Sequence, residues 1–205
     1  MIMKNAYVYP TDSHINDLKF SFLNSHLWRK EYPAFYESRV ALFAVSGLGI
    51  FVHFNAYEPS PRAVFTKRDD PVYNDSCMEF FFQPFADDER YINFEINPNG
   101  AYLSAVGCDR TSRTFLSELS DCEPKVSAHV SDSGWSAELF VPEKLISDVF
   151  GRNFSVDETE YIRANFYKCG DLTPSPHYAS LFPVNTPEPD YHRPEFFGKI
   201  FFDKK

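Results

Sequence analysis

Three separated runs of the chain alternate apolar and polar side chains, and a period of two is the signature of a strand with one face in a core. In residues 77–83, Met78, Phe80 and Phe82 oppose Glu79, Phe81 and Gln83. In residues 91–97, Ile92, Phe94 and Ile96 oppose Asn93, Glu95 and Asn97. In residues 161–168, Ile162, Ala164 and Phe166 oppose Arg163, Asn165 and Tyr167. A helix repeats its faces about every 3.6 residues and would scatter both sets.

The rest of the chain supplies strands of the same kind. Residues 39–45 and 50–57 are β-prone and joined by Ser46-Gly47-Leu48-Gly49, which predicts a hairpin. Asn97-Pro98-Asn99-Gly100 turns the chain into a strand at 101–107, and Asp132-Ser133-Gly134 links strands at 125–131 and 135–141. Residues 142–145 open with a proline and suit the first turn of a short helix. Strands at 177–182 and 198–202 complete about ten. Residues 58–73 hold Pro59, Pro61 and Pro71 and read as a long, functional loop. The 22 Phe and 12 Tyr suit pleated surfaces, and 15 Pro punctuate them. The expectation is one all-β domain over residues 1–205, an antiparallel β-sandwich with little helix. Its core would hold Phe80, Phe82, Phe94, Ile96, Phe166 and Trp135.

Several function classes fall away. A net charge of -9 repels nucleic acid phosphates and anionic lipid. No stretch approaches the roughly 20 apolar residues of a membrane span. Residues 1–10 lack a charged segment followed by an apolar run, so the chain as written reads as cytoplasmic, or as secreted if a leader was removed. Cys77, Cys108, Cys122 and Cys169 lack CxxC spacing and read as free thiols, with no zinc site or disulfide framework. Asp69, Asp70, Asp75, Asp87 and Asp88 lack the spacing of a calcium loop. For haem, Met78 points to the core face, His53 sits mid-strand, and His177 and His192 lie in proline-rich segments. No metal and no cofactor are expected.

The polar face of the three runs is the remaining signal. Asn93, Glu95, Asn97 and Asn165 have weak strand propensity, so their placement asks for another reason. Amides, carboxylates and phenol rings on one sheet face can hydrogen-bond and stack on sugars. Glu79 and Glu95 could serve a glycoside hydrolase, but a hydroxyl-binding pair explains them with fewer parts. The alternative is a hydrolase-associated or protein-interaction domain whose partner surface is the proline-rich segment 174–194.

Four segments carry a family resemblance: 69–81 (DDPVYNDSCMEFF), 91–97 (YINFEIN), 164–171 (ANFYKCGD) and 189–198 (PDYHRPEFFG). They resemble the carbohydrate-binding module family 9-like group, whose fold is similar to that of DOMON domains. The resemblance implies non-catalytic carbohydrate binding, with a terminal sugar held between two aromatic rings. It places Tyr73 as one ring and Glu79 as a hydroxyl-binding carboxylate. Glu95 and Asn97 face the sugar from the next strand, with Glu95 where a basic residue can stand. The second ring, a Trp after His177-Tyr178-Ala179-Ser180 in relatives, is replaced by Leu181 and Phe182. The expected site is therefore Tyr73, Glu79, Glu95, Asn97, Asn165 and Phe182. Trp135 falls in the core, and Trp28 at an edge or in a cover over the sandwich.

Overall fold

The computed structural model describes residues 3–11, 18–26 and 28–204. In chain order the strands are β1 (Asn5–Tyr9), β2 (Ser21–Phe22), β3 (Ser38–Val45), β4 (Gly49–Ala56), β5 (Cys77–Gln83), β6 (Tyr91–Ile96), β7 (Tyr102–Gly107) and β8 (Arg113–Phe115). There follow β9 (Lys125–Ser131), β10 (Gly134–Pro142), the helix α1 (Glu143–Phe150), β11 (Tyr161–Cys169), β12 (Tyr178–Ser180) and β13 (Gly198–Lys204). The strands join in the order β8-β7-β6-β5-β11-β13-β1-β3-β4-β10-β9, with β12 beside β11 and β2 beside β3. This one sheet curls until its halves face each other, giving the expected all-β sandwich. Among the described residues every pairing of named strands is antiparallel except those of β1, which runs parallel to both β13 and β3.

The core lies between the halves. Phe80 stacks on Phe82 at 4.6 Å and on Phe166 at 4.8 Å, and Phe54 meets Phe166 edge-on from the opposite half at 6.1 Å. Phe94, Ile96 and Trp135 share this core. Each fully buried ring or aliphatic chain contributes about 1.5–3 kcal/mol. The β3–β4 hairpin needs glycine at Gly49, where φ is 145° and a Cβ would come within 2.1 Å of the Val141 carbonyl oxygen. The helix predicted after residue 142 runs on to Phe150. It packs Leu145, Ile146, Val149 and Phe150 inward and ends at Gly151 in a left-handed conformation.

Two expectations need correction. The polar side of β5 and β6 does not face water: every residue of both strands is buried. A second apolar cluster covers it, with Trp28 and Val72 laid over Phe81, Tyr91 and Tyr167, together with Val184, Tyr191 and Phe197. Segment 174–194, weighed as an open partner surface, is in part cover: Val184, Tyr191 and His177 are buried in it, while Pro174, Pro183, Pro187 and Glu188 stay exposed. Trp28 is a covering residue, its indole N–H donating to the Thr186 carbonyl at 2.8 Å. The short strands β1, β2 and β8 were not anticipated.

Candidate functional site

The cover leaves one opening over β5, β6 and β11, a cavity of about 100 Å³. Glu79 and Glu95 form its floor, as direct cross-strand partners on β5 and β6. Tyr73, Tyr178 and Tyr191 wall it, and Arg110, Arg113, Asp171 and His192 line it further. The chain builds this locally. Tyr73 sits in a single 3-10 turn, Val72–Asn74, whose backbone is tied to the end of β11: Asp171 N–H donates to the Tyr73 carbonyl and Leu172 N–H to that of Asn74. Gly170 lets the chain fold back into β12, because a Cβ there would come within 2.5 Å of the His177 ring. That return places Tyr178 and Asp171 together in the cavity wall.

The floor is an electrostatic problem left unsolved by the protein alone. Glu79 and Glu95 are each only 3% exposed. Burial, and then the neighbouring Glu95, hold the Glu79 carboxyl well above the usual carboxylate range. Burial pushes Glu95 up to about 7, against the opposing pull of Arg113. The Glu95 Oε1 accepts from the Asn93 amide at 3.0 Å and lies 3.7 Å from the Arg113 guanidinium. Its Oε2 is buried with no hydrogen-bond partner. Such an orphaned acceptor costs about 1–3 kcal/mol until a donor arrives. Asp171 is raised by burial, while burial and the two arginines hold His192 down to about 3, so its ring is neutral.

Of the six expected residues, the structure brings Tyr73, Glu79 and Glu95 together. Asn97 lies elsewhere on the covered face. Its amide donates to the Phe65 carbonyl and to Asp75 Oδ2, both at 2.8 Å, and its Oδ1 accepts from the Asn99 and Ala101 backbones. With Asp75, which also accepts from the backbones of Val64 and Phe65 and pairs with Arg62, it pins the loop of 58–76 onto the sheet. Asn165 clips the backbone of Phe182, accepting its N–H at 2.9 Å and donating to its carbonyl at 3.0 Å. The Phe182 ring lies over Gly198, where a Cβ would come within 2.3 Å of it, and packs against the main core. The second and third rings are instead Tyr178 and Tyr191. Tyr178 was in view within His177-Tyr178-Ala179-Ser180, four positions before the expected Phe182. Arg110 and Arg113, before and on β8 respectively, bring basic side chains to the cavity beside Glu95.

On the opposite face of β11, Lys168 enters a buried polar group. Its ammonium lies 3.0 Å from Glu58 and 2.5 Å from His177 Nε2. Glu58 also accepts from Ser76 at 2.6 Å and from the Trp135 indole at 3.0 Å. Burial, then Lys168, lowers His177 to about 4, so it is neutral and accepts from the lysine. This group fastens the start of the covering loop to the sandwich.

Comparison with known proteins agrees with this architecture. The model of carbohydrate-binding family 9 matches residues 9–202. A solved structure from Bacteroides uniformis, described as a carbohydrate-binding protein, is 27% identical with a TM-score of 0.80, covering 98% of this chain and 100% of that one. Two structures of a family 9 module from Caldicellulosiruptor kristjanssonii, in complex with glucose and with cellotriose, share the fold. They are 12% and 11% identical, both with a TM-score of 0.63, and cover 98% of this chain and 97% and 95% of their own. No curated protein matches the chain. Among the described residues no helix is long and apolar enough to cross a membrane. A family match across almost the whole length, on this sandwich, establishes that the chain belongs to carbohydrate-binding family 9, whose modules are non-catalytic.

Proposed function

We propose that the cavity binds a single sugar unit, its hydroxyls on Glu79, Glu95 and Arg113 and its C–H face against Tyr73 and Tyr178. The observation that carries this reading is the orphaned Oε2 of Glu95, a buried acceptor on a residue that lines the opening. A sugar hydroxyl donates and accepts at once, so it satisfies Glu95 while taking a donor from the nearby guanidinium. Phenol rings add apolar contact and keep a polar tip for the rim. The size argues for one unit: about 100 Å³ is well below the roughly 300–1,000 Å³ of sites that enclose drug-sized ligands. Glucose-terminated chains are the first candidates, because the Caldicellulosiruptor modules hold glucose and cellotriose.

Titration calorimetry against glucose, cellotriose and a panel of other monosaccharides tests this. The expected result is one site per chain, weakened at least tenfold by Tyr178→Ala and redirected among sugars by Glu79→Gln. No heat with any sugar, or binding unchanged in Tyr73→Ala and Tyr178→Ala alike, overturns it.

A further inference from the structure

Three groups at the cavity floor form a constellation that hydroxyl recognition does not require. Cys77 and Cys169 are direct partners across β5 and β11, and Glu79 stands two residues from Cys77 on the same face of β5. Both sulfurs and a Glu79 carboxylate oxygen lie within 4.8 Å of one another. All three residues are buried. The Cys169 thiol donates to Glu79 Oε1 at 2.8 Å, and the Cys77 thiol only to the Met78 carbonyl at 3.8 Å.

We propose that Cys77, Glu79 and Cys169 bind one thiophilic divalent cation of the zinc or cadmium class, with a fourth coordination position open to the cavity. The dimensions suit it. Tetrahedral zinc, with sulfur at about 2.3 Å and carboxylate oxygen at about 2.0–2.2 Å, sets its ligand atoms roughly 3.6–3.8 Å apart. The observed triangle reaches that by small side-chain rotations. Two sulfurs select a soft cation over calcium or magnesium, which take oxygen ligands. Glu79 and Cys169 line the cavity whereas Cys77 lies beneath it, so the open position faces outward. Three protein ligands with one free place is the arrangement of zinc sites that hold an exchangeable water or ligand.

The charges are consistent. Burial raises the Cys77 thiol to about 12 and lifts the Glu79 carboxyl well above its ordinary range. A buried cation takes the place of these protons, and two thiolates with one carboxylate offset its charge. The nearest ammonium, Lys168, is on the other face of β11 and is neutralised by Glu58. The cation site stands on these three residues and does not depend on whether the cavity takes sugar.

Cys108 is exposed and Cys122 part-buried, so a Cys108→Ser, Cys122→Ser chain leaves only the two floor thiols. Reduced, stripped with a chelator and titrated with cadmium, this chain should develop a thiolate-to-metal ultraviolet band that saturates at one equivalent and is reversed by chelator. Cobalt should give visible bands of a four-coordinate site. Adding Cys77→Ser or Cys169→Ser should abolish the band. Glu79→Gln, which keeps shape and volume, should retain it with affinity at least tenfold lower, with circular dichroism reporting that each variant is folded. Three results overturn the site: no saturable band in the two-thiol chain, equal affinity in folded Glu79→Gln, or a Cys77–Cys169 disulfide that resists reduction.

Discussion

The two outer faces of the curled sheet begin from the same strand alternation and end differently. Over β5, β6 and β11, outward residues such as Glu79, Asn93, Glu95 and Tyr167 are buried beneath connecting segments. Over β3, β4 and β10, Phe43, Phe51 and Phe140 stack at 5.0 and 4.4 Å and stay half-exposed, beside the His53–Glu138 pair at 3.2 Å. Connections make the difference. β3 meets β4 through residues 46–48, and β9 meets β10 through residues 132–133, too little chain to cover anything. β4 reaches β5 only after residues 57–76, and β12 reaches β13 after 181–197. A strand face becomes a site here when long loops roof it and leave a gap.

The contrast can be broken by truncation. Phe94→Ala, in the core beneath the roofed face at 0% exposure, should cost about 3–5 kcal/mol in denaturant unfolding. An unchanged midpoint would remove Phe94 from the core and, with it, the rigid floor.

A pH series sharpens the comparison further. The Glu95 carboxyl sits at about 7 in the folded chain against an ordinary 4.5. Below 4.5 both forms are protonated and Glu95 contributes nothing. Between 4.5 and about 7 the folded state holds the proton more tightly, so stability falls as pH rises, by on the order of 2–3 kcal/mol. His177 and His192, lowered to about 4 and about 3, act oppositely, losing stability as pH falls below 6.5. The difference between the wild-type chain and Glu95→Gln cancels the histidines and should show the slope of Glu95 together with the change it causes in its neighbour Glu79. A flat difference would mean that Glu95 is hydrated.

Matched amides give a smaller effect. Asn97→Ala strips a partner from buried Asp75 and should cost about 1–3 kcal/mol. Asn55→Ala, outward on β4 and half-exposed, should stay within about 0.5 kcal/mol. Equal values from thermal melts would erase the distinction between the faces. Smallest among the rings, Phe51→Ala should cost about 1 kcal/mol, the worth of its stacking on Phe43 and Phe140. A loss as large as that of Phe94→Ala would show the open face to be a second core.

The sandwich was legible because a period of two survives in a single sequence: Phe80, Phe82, Phe94, Ile96 and Phe166 needed no tertiary information to sort. The roof was not. Its apolar contacts, Trp28 with Tyr178 and with Tyr191, join segments far apart in the chain and follow no period. For the same reason Asn97 and Asn165 read as ligand-facing when they bind protein groups that include the distant Phe65 carbonyl, the Asp75 carboxylate and the Phe182 backbone. Phe182 misled by position: β12 stops at Ser180, and beyond it the ring turns to Gly198. The thiols show the same limit, since Cys77 and Cys169 meet only through the register of β5 on β11.

The place of β1 has a consequence for how the chain is made. It joins the halves along the main strand order, with Asn5 beside Phe201 and Tyr7 beside Phe43, while an isolated bridge between Ser25, just past β2, and Ser180 of β12 links them a second time. During synthesis β1 can pair with β3 early, yet its other edge stays bare until β13 emerges. At roughly 5–20 residues per second that wait is about 10–40 s, during which an unpaired strand edge is exposed to other chains. Closure of the sheet through β1 thus waits for β13, the latest in chain order of the described strands.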